Sequence, residues 1–144
     1  MNIPTKDDFK RGVSKHFSFL VKEYGFVLKN ELYTDHGDKI DFESDVCRVS
    51  FIMERCQLLI DLAPSGSVGQ EIDLGHIVLQ ANPESDFKYA FSPDGFVPSE
   101  YTRLAFILKK YCEPILRGDF SKWPQIIKFR EEWARKKFGS EPNA

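Results

Sequence analysis

An α+β fold follows from three features of the chain. The central stretch VCRVSFIMERCQLLIDLA alternates in character with period two. Segments on either side repeat their apolar residues with helical period. Short turn-like connections join consecutive alternating runs, which calls for antiparallel pairing with one solvated face. The expected architecture is an antiparallel meander of about four strands, with an N-terminal helix and two C-terminal helices packed on one face. The 144 residues suit a single domain over 1–144, with an ordered core of about 5–138.

The first helix is expected over Thr5 to Tyr24. Thr5 and Asp8 have the spacing of a capping box, and Asp7 suits the positive end of the helix. Phe9, Val13, His16, Phe17, Leu20, Val21 and Tyr24 form one stripe, which leaves Phe19 outside. Gly25 stops the helix in a left-handed turn, with Phe26 folding back.

Strands follow over Phe26 to Tyr33 and Ile40 to Ser44, joined by a turn at residues 34–38. The central hairpin supplies two more. With Glu54-Arg55 as its turn, one face carries Cys47, Val49, Phe51 and Met53 against Cys56, Leu58, Ile60 and Leu62. The other carries Arg48, Ser50, Gln57 and Asp61 among mixed neighbours. Burying the eight apolar side chains contributes roughly 10–20 kcal/mol before chain entropy offsets most of it. A lone hairpin is marginal in water, so helices must cover that face.

Pro64 to Gln70 reads as a loop. Over Glu71 to Asn82 a short helix capped by Asp73 and closed by Pro83 is preferred to a fifth strand. Pro83 to Val97 is irregular, with Phe87, Tyr89, Phe91 and Phe96 as anchors; long loops of this kind are often functional. Ser99 to Leu116 is a helix with Tyr101, Leu104, Leu108, Cys112 and Ile115 inward and Pro114 disturbing its last turn. Ser121 is expected to cap a final helix, Lys122 to Phe138, with Trp123, Ile126, Ile127, Trp133, Ala134 and Phe138 inward. SEPNA is expected to fray.

Composition narrows function. Net charge is -2, from 20 basic and 22 acidic residues, too balanced for wholesale binding to nucleic acid or an anionic membrane. No stretch approaches the ~20 apolar residues of a membrane helix, and MNIPTKDDFKRG lacks an apolar segment of signal-peptide length. The 3 cysteines, an odd number, read as reduced structural thiols of a cytoplasmic protein. Phosphate-cradling glycine loops, HExxH, paired CxxC and GxSxG are absent, so no catalytic residue, cofactor or metal ligand is assigned. His16 reads as a core residue.

The charge layout is uneven. Residues 31–45 hold six acids against Lys39, whereas residues 122–137 hold six bases against Glu131 and Glu132. Asp35, Asp38, Asp41, Glu43 and Asp45 are therefore either a solvated acidic edge or a recognition surface for a basic partner.

Tyr24-Gly25-Phe26, Lys110-Tyr111, and Leu116-Arg117-Gly118-Asp119 followed by Trp123 give the chain a pattern that resembles a loose class of small bacterial α+β proteins. Some of these are immunity proteins that accompany secreted toxins. The resemblance implies a non-catalytic cytoplasmic protein-binding module that occupies a toxin surface, and a basic toxin domain would match the acidic stretch. It transfers no site residues. Two other readings stand beside it: an enzyme using His76 with Glu71 or Asp73 under the Pro83–Val97 loop, and an adaptor subunit presenting Phe19, Phe106 and the loop aromatics.

Overall fold

The computed structural model describes residues 3–139, so SEPNA lies outside the described residues. Five strands form one antiparallel sheet in chain order: β1 (Val27–Thr34), β2 (Gly37–Glu43), β3 (Cys47–Glu54), β4 (Gln57–Pro64) and β5 (Ile72–Asp73). Helices α1 (Lys6–His16), α2 (Ser18–Tyr24), α3 (Leu74–Ala81), α4 (Glu100–Leu116) and α5 (Trp123–Phe138) complete the fold. The expected meander is present, with a short fifth strand added.

The hairpin turns one step later than expected. Arg55 and Cys56 occupy the turn with φ of 51° and 60°, the left-handed pair that a type I′ connection requires. Met53 therefore faces Leu58, Phe51 faces Ile60 and Val49 faces Leu62. The opposing partner moves by two residues, an even number, so every strand residue keeps its face. Cys56 alone leaves the apolar set and becomes a turn residue.

The N-terminal helix is broken rather than continuous. Its capping box forms as expected, with Asp8 N–H donating to Thr5 Oγ1 at 3.1 Å and Thr5 N–H to Asp8 at 3.3 Å. At Phe17 the backbone leaves the helical region, and the Phe17 ring packs 4.5 Å from that of Phe51. The break shifts the helical phase of α2. Phe19 consequently turns inward and is buried, while Val21, placed on the stripe by periodicity, is 48% exposed. Gly25 ends α2 with φ +74°, and Phe26 is buried behind it.

Asp73 closes β5 and caps α3, accepting from Gly75 N–H at 2.7 Å. Residues 71–82 thus hold both readings in sequence, two strand residues and then a helix. In α5, Ser121 does not cap; its hydroxyl donates to Asp119 at 2.6 Å, and Lys122 takes the cap position. Phe138 is exposed rather than inward, because the buried part of α5 stops short of its last turn.

One apolar core lies between the sheet and the helices. It joins Val49, Phe51, Leu58 and Ile60 to Phe9 and Val13 of α1, Ile77 and Val78 of α3, and Leu104 and Leu108 of α4. α1 packs on α4, and α3 packs on both α4 and α5. The two edges of the sheet differ. β1 is an outer strand, exposed along nearly all its length, with Lys29 as an unpaired extra residue between Leu28 and Asn30. Beyond the two residues of β5, the edge of β4 is met by Tyr89, whose hydroxyl accepts from Ile60 N–H at 3.2 Å and donates to Asp73 at 2.8 Å.

The Pro83–Val97 loop is fastened by an ionic pair whose carboxylate is buried and whose guanidinium is part-exposed. Glu100, 3% exposed, bonds Arg103 and accepts from Ala90 N–H at 2.9 Å, while Arg103 donates to Lys88 O at 2.7 Å.

A Cβ on Gly12 would run into the Tyr101 ring, which lies against α1 beside the stacked ring of His16. Helix propensity alone would favour alanine at this position by about 1 kcal/mol. Gly12→Ala is nevertheless expected to destabilise by about 1–3 kcal/mol through overpacking. Denaturant unfolding of the variant measures this, and a gain in stability would show that α1 and α4 do not approach so closely.

Candidate functional site

Strand alternation sends every second residue to the face away from the helices. On this face the register aligns Asn30, Asp41, Ser50, Asp61 and Asp73 across all five strands. Beside that row runs a second one, Leu32, Lys39, Ile52 and Leu59. Leu32 is 59% exposed, and Ile52 and Leu59 are half-buried. An acidic row thus adjoins a mostly apolar one on a sheet face outside the helix-packed core.

The carboxylates in the row differ. Asp41 is only 9% exposed, and its Oδ1 has no hydrogen-bond partner. A buried carboxylate oxygen without a donor is costly, by about 1–3 kcal/mol or more. Ser50, next in line, is 2% exposed and has a small side chain. Asp61 is pushed up to about 6 by burial and by the neighbouring Asp73, with Lys39 opposing. Asp73 is also raised by burial, but its oxygens are used by Gly75 N–H and the Tyr89 hydroxyl. Asp41 and Asp61 are therefore the members of the row not assigned to holding the fold together.

The predicted acidic stretch does not form one surface. Asp41 and Glu43 lie on the face away from the helix-packed core, but Glu43 is engaged, accepting from Ser65 Oγ at 2.7 Å and Gly66 N–H at 2.9 Å. The Ser65 bond holds its carboxyl below the usual range. Asp38 points to the helix side, opposite Met53. With Asp35 it lines a cleft of about 800 Å³ at the hairpin tips, together with Arg55, Cys56 and Phe91. Asp45 is exposed in the β2–β3 turn. Asp61 and Asp73 were missed as partners of Asp41 because they are distant in sequence. The signal available was the polar face of the hairpin, which carries Ser50 and Asp61 under either turn and sets them directly opposite once the turn is placed at Arg55-Cys56.

Neither the basic helix nor the histidine forms the arrangement expected of it. Among the described residues no ion pair joins α5 to residues 31–45; Glu31 pairs with Lys10 at 3.2 Å instead. His76 packs edge-on against Trp133 at 5.0 Å, and its Nδ1 is buried without a partner. Burial pushes His76 towards its neutral form. Glu71 pairs with Arg48 at 3.3 Å, so it does not serve His76. His76 is also not among the residues lining the cleft beside the loop. Phe19, offered as a contact residue for an adaptor, is buried under Lys109, whereas Phe106 and Phe91 are each 66% exposed.

Among the described residues, no group of three or more His, Cys, Asp or Glu is placed to hold a metal ion, and no helix is long and apolar enough to cross a membrane. Burial pushes the Cys47 thiol up to about 12 and raises that of Cys112 as well, the opposite of what a thiolate nucleophile needs. Comparison with protein-family models, curated proteins and solved structures finds no match for this chain.

The raised Asp61 has a consequence for stability. Its folded value lies above that of the unfolded chain, so the folded state binds the proton more tightly. Stability is then lost as pH rises from about 4 to about 6. Asp61→Asn is expected to stabilise by about 1–2 kcal/mol at pH 7.5, with the gain vanishing below about pH 4. Urea unfolding at both pH values checks this; an equal effect at both would separate the gain from the charge.

Proposed function

We propose that this chain is a non-catalytic protein-binding module that docks a basic protein domain on the outer face of its sheet. An immunity-type inhibitor covering a cationic toxin domain would use such a surface. The observation that carries this reading is the acidic row Asp41–Ser50–Asp61 lying in register beside Leu32, Ile52 and Leu59. An apolar strip gives contact area, and adjacent fixed charge selects and steers the partner. The cost of leaving Asp41 unpaired and Asp61 half-buried fits a surface completed by another molecule. The other perturbed groups have structural tasks, since Asp73 caps α3 and Tyr89 closes the β4 edge. We place the module in the cytoplasm, where its thiols stay reduced.

The test uses the whole chain as bait for a basic protein from its source cells, followed by association kinetics at low and high salt. Replacing Asp41 by Asn and Asp61 by Lys is expected to slow association about tenfold at low salt and to flatten its salt dependence. An unchanged on-rate in a folded double variant would overturn the reading.

A further inference from the structure

The contact between α3 and α5 holds a titratable ring that the docking reading does not use. We infer that His76 is a proton-operated latch: neutral, it holds the last two turns of α5 against α3 through Trp133, and charged, it lets them go. The latch is independent of the docking face on the sheet.

The first support is how unevenly α5 is held. Its first half is anchored several times over. Trp123 and Ile126 are buried, Trp123 Nε1–H donates to Gln70 O at 3.1 Å, and Arg130 donates to Glu71 O at 2.8 Å. Beyond Arg130 the helix is exposed except at Trp133 and Ala134, which are half-buried. The Trp133 ring meets that of His76 edge-on at 5.0 Å. Among the described residues, this is the one ring or polar contact that ties residues 131–138 to another element; Phe138 and Lys137 meet Trp133 from within α5.

The second support is that a charged imidazole is poorly accommodated here. His76 is the third residue of α3, in its first turn, where the helix dipole opposes a positive charge. Its Nδ1 is buried without a partner. A charged ring carries N–H on both nitrogens, so protonation leaves a buried donor with no acceptor. Arg130 of α5 adds a second positive charge, and the Trp133 ring already has the Lys137 ammonium 5.2 Å from its centroid. Asp73, the cap of α3, pulls the other way, but its oxygens are engaged by Gly75 N–H and the Tyr89 hydroxyl. α4 and β4 also pack on α3, and among the described residues they bring no further charge to bear on His76. Burial outweighs Asp73 and holds the ring below its ordinary value.

The latched state therefore binds a proton less tightly than a released imidazole does. Latching is complete above about pH 6.5 and weakens as pH falls below it. At pH 5 an ordinary imidazole is charged over neutral by about thirtyfold, which sets the ceiling on the effect. Release uncovers Trp133 beside Arg135, Lys136 and Lys137.

Amide hydrogen exchange on the isotope-labelled full chain, expressed as protection factors, tests the latch at pH 7.5 and pH 5. Residues 131–138 are expected to lose about three- to thirtyfold of their protection at pH 5 relative to residues 127–130, and the His76 ring to titrate with a midpoint below about 6.5. His76→Phe keeps a ring against Trp133 that cannot be charged, and it should abolish the loss. Asp61 titrates in the same range and acts on Arg130, so Asp61→Asn is the control and should retain the loss. Protection that does not change with pH, a loss that persists in His76→Phe or vanishes in Asp61→Asn, or a midpoint at or above about 6.5 would overturn the inference. The exchange and the ring titration of the unsubstituted chain decide the matter if a variant fails to fold.

Discussion

The structure depends on the pleat of β3 and β4. Val49, Phe51, Leu58 and Ile60 are fully buried on one side of these strands. Because adjacent residues alternate, burying that set forces Ser50, Ile52, Leu59 and Asp61 to the other side. The core and the opposite face are two outcomes of one constraint. No substitution pattern within the hairpin can alter the register by one residue without exchanging them. The helices are fitted to the apolar side, and only Arg130 of α5 is seen acting on Asp61 on the other.

That constraint explains which parts of the fold were legible. The hairpin faces survived a misplaced turn because the displacement was even. The helix at 74–81 was legible because Asp73 supplies a cap at the boundary and the following residues bury on one side. The break at Phe17 was not. Nothing in FSFLVKEY interrupts helical spacing, and the kink follows from the contact of Phe17 with Phe51, a tertiary effect. The status of Phe19 and Val21 went with it. Ser121 has the residue type of a cap but does not act as one, because Asp119, two residues before it, takes its hydroxyl.

The acidic surface was half legible. Counting charge along residues 31–45 found Asp41 but grouped it with side chains that alternation sends elsewhere. Proximity in sequence is a poor guide to proximity on a sheet, since neighbours along a strand point apart while residues twenty positions away stand side by side. Asp61 belongs with Asp41 through strand order, and strand order follows only when each turn has been placed. The loop at 83–97 has a comparable history. Its aromatics were visible, but Glu100 and Arg103 that fasten it lie in the next helix.

β1 is the strand that lies outermost, and it is also the one that carries the bulge at Lys29. An unprotected outer strand offers a row of donors and acceptors on which a second molecule can build. The extra residue throws that row out of step part way along, and it carries a positive charge. Side-by-side growth of the sheet into a polymer is thereby interrupted at its first step. The same bulge that bends β1 away from its partner thus leaves its edge a poor template for another strand.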